Sequence, residues 1–96
     1  MFNILKDNLY FCINILNKNV EVDFFIPKER RAIQVSYSIA DEMTKQREIK
    51  ALLKLSEVYE VENFEIVTWD KDYVHEENKI AINILPVWKW LLKEDS

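Results

Sequence analysis

Three residues with chemically useful side chains fall at strand spacing in the first half of the chain. Asp23 sits in the apolar run Val20 to Ile26, and Gln34 and Ser36 stand two apart in a second run, Ile33 to Ser38. Side chains alternate along a strand with a period of two. An acid on one strand and a pair at i and i+2 on the next therefore meet on one face when the strands pair with their apolar faces in register. Metal-dependent phosphodiester cleavage uses such a layout: carboxylates hold Mg²⁺, and a cation lies near the attacking water or the developing phosphorane charge. The residue types here suit it poorly. Gln34 offers a neutral carbonyl oxygen in place of a second carboxylate, and Ser36 brings no positive charge. Glu21, two residues before Asp23 and on the same face, is a further candidate metal ligand with Asp23, although paired acids on a strand are more often simply solvated. A structural polar strip with the outline of an active site is the expectation.

The other candidates are weaker. Lys28, Arg30 and Arg31 cluster in a charged turn and could touch nucleic-acid phosphates, yet Glu29 interrupts them and an exposed turn is expected to be charged. His75 is the single histidine and is expected in a loop among Glu76 and Glu77, without the partners a zinc site needs. Cys12 is the single cysteine, which excludes an internal disulfide and fits a reducing compartment.

The elements that must position the strip follow from periodicity and turn chemistry. Leu9 to Leu16 is aromatic and β-branched, and Asn17-Lys18-Asn19 supplies hairpin-turn residues that tolerate left-handed backbone. In the next strand Val20, Val22, Phe24 and Ile26 are expected on one face, with Glu21, Asp23 and Phe25 on the other. Pro27 ends that strand, since it cannot donate to a ladder, and the third strand follows the turn. An antiparallel three-stranded meander results. Ser38 to Asp41 provides caps for a helix running to about Tyr59, with Ile49, Leu52, Leu53, Leu55, Ser56 and Tyr59 on one arc. Phe64 to Trp69 and Lys79 to Leu85 read as strands flanking a hairpin loop, Asp70 to Lys79. Pro86 suits the first position of a terminal helix, Val87 to Lys93, in which Trp88, Leu91 and Leu92 form a buried stripe with Trp90 off it. Met1 to Asn8 carries no decisive pattern. The order is β-β-β-α-β-β-α, an α+β (α/β-like) domain with a mixed sheet.

Composition bounds what such a domain does. Ninety-six residues, 49% of them hydrophobic, make one domain over 1–96. A formal net charge of -4 argues against a generally nucleic-acid-seeking or membrane-surface protein. The chain has no glycine, and phosphate-cradling loops need glycine for tight turns and close backbone approach, so this chain is expected to bind no nucleotide. No apolar run approaches the ~18 residues that span a bilayer, and there is no signal-peptide pattern at the N-terminus. A soluble, cytoplasmic protein with no membrane partner is expected.

The string Glu21-Val22-Asp23-Phe24, then Ile33-Gln34-Val35-Ser36-Tyr37-Ser38, then Asp41-Glu42 with Thr44, Arg47-Glu48 and Ala51-Leu52 resembles the C-terminal domain of a broad group of archaeal and bacterial AAA+ type ATPases. The closing Ile84-Leu85-Pro86-Val87-Trp88-Lys89-Trp90-Leu91-Leu92 is similar too, and together the motifs cover about Tyr10 to Leu92. The resemblance implies a PD-(D/E)XK restriction-endonuclease-like fold, whose core is helix, three strands, helix, strand. It also implies that Asp23 stands for the metal-binding aspartate, Gln34 for the second acidic position and Ser36 for the lysine. The last two depart from the pattern, the first core helix is absent or reduced to a few residues, and no ATPase domain is present, so the core is a truncated one. The expected function is a non-catalytic, nuclease-like accessory domain for interaction or nucleic-acid engagement, detached from or belonging to an AAA+ ATPase. The alternatives are a Mg²⁺-dependent DNA endonuclease with a degenerate site, and a small DNA-binding module using the basic turn. No cofactor is expected, Mg²⁺ apart if the endonuclease alternative holds. Expected partners are a second copy or another protein, because the missing helix would leave a sheet face uncovered, or nucleic acid.

Overall fold

The computed structural model describes residues 10–14, 21–37 and 39–95, with side chains over 22–37 and 39–94. The segment Met1 to Asn8, the Asn17-Lys18-Asn19 turn and the side chains of Cys12 and Glu21 lie outside what is described. Strands β1 (Tyr10–Asn14), β2 (Glu21–Ile26) and β3 (Arg31–Val35) form the antiparallel meander expected from the sequence. A single 3-10 turn, Pro27–Glu29, joins the last two, and Arg30 takes the left-handed position that closes it, with φ 51. Helix α1 (Glu42–Val58) then leads to β4 (Asn63–Thr68), which pairs parallel to β3. Asp41 caps α1: its carboxylate accepts from the Met43 N–H at 3.2 Å and from the Thr44 hydroxyl at 2.9 Å, satisfying groups that the first turn leaves without helical partners.

The segment after β4 departs from expectation. Asp70 to Lys79 is not a loop, because it contains a further strand, β5 (Tyr73–Glu77), ahead of β6 (Ile80–Pro86) and the closing helix α2 (Val87–Asp95). Among the described residues the order is β-β-β-α-β-β-β-α, one strand more than the sequence pattern indicated. Nor do β4 and β6 form a hairpin: they are parallel neighbours, and β5 pairs antiparallel with β6 at the outer edge. Asn78 and Lys79, both at positive φ (54 and 67), make the tight β5–β6 turn, which is the backbone a two-residue hairpin requires. β5 escaped the sequence pattern because none of its residues is fully buried, and alternation is readable only where one face is dry.

The six described strands run β1-β2-β3-β4-β6-β5 in one mixed sheet. Helix α1 lays Ile49, Leu52 and Leu55 on one face, against Val22, Phe25, Ala32, Phe64, Ile66, Ile82 and Ile84. A smaller core on the other face joins Ile26, Ile33, Val67 and Leu85 to Trp90 of α2. This corrects the stripe expected in α2: Trp90 is 6% exposed, whereas Trp88 is 58% and Leu92 64% exposed. The inward positions are Val87, Trp90, Leu91 and Glu94, spaced i, i+3, i+4, i+7. A buried glutamate in that register displaced the apparent stripe. Among the described residues no helix is long and apolar enough to cross a membrane.

Candidate functional site

The two runs that carry Asp23 and Gln34 pair as β2 and β3, but their ladder stops short of both residues. Phe24 faces Ile33, Phe25 faces Ala32 and Ile26 faces Arg31, and there the printed pairing ends. One step further, two side chains take over from the backbone. The Asp23 N–H donates to Gln34 Oε1 at 2.9 Å, and the Val35 N–H donates to Asp23 Oδ2 at 2.8 Å. Each residue thus supplies an acceptor to the opposite strand, forming a reciprocal clasp at a fork between β2 and β3. Toward β1 the register runs on, with Ile13 opposite Val22 and Asn14 opposite Glu21. Val22 and Phe25 belong to the same core although three residues apart, which strict alternation forbids. The face change falls between them at the fork, so Val22 does not share the face of Phe24 and Ile26 that periodicity assigned it.

Gln34 is 2% exposed and Asp23 is half-buried. A buried amide oxygen is stabilised only if it finds a donor, and the Asp23 N–H provides one. Ser36 follows β3 immediately, two residues beyond Gln34, with its N–H donating to the Val67 carbonyl at 2.9 Å. Glu21 lies in β2 opposite Asn14, and its side chain is outside those described.

A residue from another element joins the fork. Burial pushes the Glu48 carboxyl of α1 up from its ordinary range, and the negative charge of Asp23 pushes it further the same way, against a smaller opposing effect of Arg47. Two carboxyl groups of like charge therefore approach one another from strand and helix. In the sequence Arg47-Glu48 reads as an interhelical or strand-directed ion pair, and the charge that reaches Glu48 from the strand is another acid, Asp23. Asp23 and Gln34 thus meet at the fork, with the Glu48 carboxyl near enough to Asp23 to feel its charge, and Ser36 stands where the resemblance would put a lysine.

The basic turn is dispersed. Arg30 donates to Glu62 at 2.6 Å and lies 3.7 Å from Glu60, all on the surface. Arg31 is not in the turn at all: it opens β3, is 8% exposed, and points to the α2 side of the sheet. Its guanidinium donates to Glu65 Oε1 at 3.0 and 2.8 Å, to Glu29 at 3.3 Å and to Glu94 of α2. Burial alone would lower its pKa, but the carboxylates of Glu94 and Glu65 outweigh this and hold it still more firmly charged. Lys93 adds a bond to Glu65 Oε2 at 2.5 Å. Lys28 remains an exposed cation with no ion-pair partner among the described residues. His75 lies 3.2 Å from Glu77 along edge strand β5, and the described residues contain no group of three His, Cys, Asp or Glu side chains able to hold a metal.

No protein-family model matches the chain, and no solved structure matches it. Among curated proteins, the uncharacterised protein MJ1544 of Methanocaldococcus jannaschii is 40% identical over 100 aligned residues, an alignment covering 91% of this chain and 20% of that protein. The chain spans about a fifth of the length of the curated relative it matches.

Proposed function

We propose that this chain is a nuclease-like accessory domain whose former metal position has become a structural clasp, and that it serves partner engagement rather than catalysis. The observation that carries this is the reciprocal bonding of Asp23 and Gln34: the side chains at the expected metal positions act as backbone acceptors that hold two diverging strands together. Supporting it, a meander of three strands, a helix and a fourth strand parallel to the third occur in the order that a restriction-endonuclease-like core calls for. The length of MJ1544 supports a role inside, or alongside, a larger protein, and the resemblance of the motifs suggests an AAA+ type ATPase for that protein. A general DNA-binding role through the basic turn has little support, since Arg30 and Arg31 are both held by carboxylates.

One observation favours a second function, a Mg²⁺-dependent nuclease. The proximity of Glu48 to Asp23 could restore the acid that Gln34 lacks; Asp23 and Glu48 would then hold the ion, whose contribution would be to polarise a phosphoryl oxygen and activate water. Incubation of supercoiled and single-stranded DNA with excess protein and Mg²⁺ or Mn²⁺ separates the two. No cutting by the parent or by Asp23→Ala is expected; cutting that disappears only in Asp23→Ala would establish the nuclease instead.

A further inference from the structure

Helix α1 turns Ile49, Leu52 and Leu55 to the sheet and a row of cations to water. Arg47, Lys50 and Lys54 are all exposed. Standing at i, i+3 and i+7, they fall within about 60° of one another on the side opposite the buried residues, spread over about 10 Å of helix. The fold does little to balance them. Neither Arg47 nor Lys50 has an ion-pair partner among the described residues. Lys54 lies 3.9 Å from Glu57 with both side chains exposed, a contact worth little in water, and Glu48, beside Arg47 in sequence, is half-buried. Like charges three and four residues apart repel one another and weaken a helix, and Arg47 with Lys50 and Lys50 with Lys54 are two such pairs. Elsewhere the chain commits cations to acids: Arg30, Arg31, Lys89 and Lys93 each have a carboxylate partner. In a chain of net charge -4 an unbalanced cationic row is a local exception, and local exceptions without compensation inside the fold mark surfaces that act outward.

We propose that the row Arg47, Lys50 and Lys54 of α1 is a contact surface for the phosphate backbone of a nucleic acid. Charge complementarity calls for an anion with several charges in line, and the surroundings of the row select among such anions. A protein partner would find aromatic or aliphatic anchors at the centre of its contact, and a lipid surface would need an apolar face to enter it. The row offers neither: Met43, 80% exposed at the N-terminal end, is the single exposed apolar side chain of α1. Phosphate contacts need cations in place and no dry centre. The acidic balance of the rest of the chain confines the contact to this helix. The row is separate from the turn of Lys28 and Arg30 and from the fork. The inference therefore goes beyond the accessory role proposed above and does not depend on what Asp23 does.

Fluorescence anisotropy of a labelled DNA duplex, titrated with the chain in EDTA so that no metal-dependent cutting intervenes, tests this apart from the cleavage experiment. Three phosphate contacts predict a logarithmic salt slope of about -2.7, so that binding at about 200 mM salt is roughly 40-fold weaker than at about 50 mM. Lys50→Gln and Lys54→Gln should each weaken binding by on the order of tenfold at the lower salt and make the slope shallower by about 1, whatever the DNA sequence. Both side chains are exposed, so the circular dichroism of these variants should match the parent. Lys79→Gln, an equal charge change in the β5–β6 turn, should leave binding as it was. Four results would each overturn the assignment: no binding with protein up to about 1 mM; binding indifferent to salt; a loss in Lys79→Gln equal to that in Lys50→Gln, which would make net charge rather than the row responsible; or competition by polyglutamate as strong as by unlabelled DNA at equal charge, which would make an acidic polypeptide the occupant.

Discussion

Glu48 is held at an energetic disadvantage by its own fold. A carboxyl whose pKa is raised on folding binds its proton more tightly in the native state. Its contribution to stability is therefore fully present below the unfolded-state pKa and is lost as pH rises through the folded-state value. The sign follows from burial first and Asp23 second. Glu48→Gln removes the ionisation while keeping shape, so urea denaturation followed against pH should show this variant more stable than the parent near pH 7, the gap closing toward pH 4. Parent and variant with parallel profiles would mean that Glu48 is better solvated than its position indicates. At this scale the sequence was partly legible. Asp23 and Gln34 could be brought together by counting alternate residues, since each lies within one strand. The bonds they form could not: the pairing in which each side chain substitutes for a strand carbonyl depends on where the ladder stops. Glu48 was hidden for a different reason, because its partner lies on another element.

Among elements, the attachment of α2 depends on charge as much as on apolar area. Arg31 of β3, Glu65 of β4 and Glu94 of α2 form a cluster in which every member is less than one-tenth exposed, with Lys93 bonded to Glu65 from the surface. Breaking a buried ion pair costs more than the pair contributes, because the partner is left charged and dry. Arg31→Met should destabilise by about 3–5 kcal/mol, read by chemical denaturation, and the triple variant Arg31→Met, Glu65→Leu, Glu94→Leu should recover much of that loss. Failure of the triple variant to recover would show that apolar packing of Trp90, not charge pairing, governs the docking. Element types were largely readable beforehand: the meander and α1 follow from alternation, caps and helix formers. What failed shares one cause. Glu94 occupies an inward position that looks polar, Arg31 a strand position that looks like a turn, and β5 a strand without a dry face. In each, the residue type points to water while the neighbours supply the compensation.

At the scale of the whole molecule, the described residues place two helices on opposite faces of a six-stranded sheet, with the fork where β2 and β3 part. The mixed sheet was legible from the sequence; its order was not, because the position of β6 between β4 and β5 is set by pairings remote in the chain. MJ1544 is about five times as long as the matched segment, which fits a domain that works beside others. The central claim is that Asp23 is structural, and the most direct measurement is urea denaturation of the parent and of Asp23→Ala, each with and without Mn²⁺. Removing an acceptor from the exposed Val35 N–H should cost about 0.5–1.5 kcal/mol, the same with metal as without, and Mn²⁺ should leave the parent unchanged. Contradiction would be an Asp23→Ala variant as stable as the parent in the absence of metal, while Mn²⁺ stabilises the parent alone: a ligand that binds only the native state stabilises it by mass action, and the fork would then be a metal site.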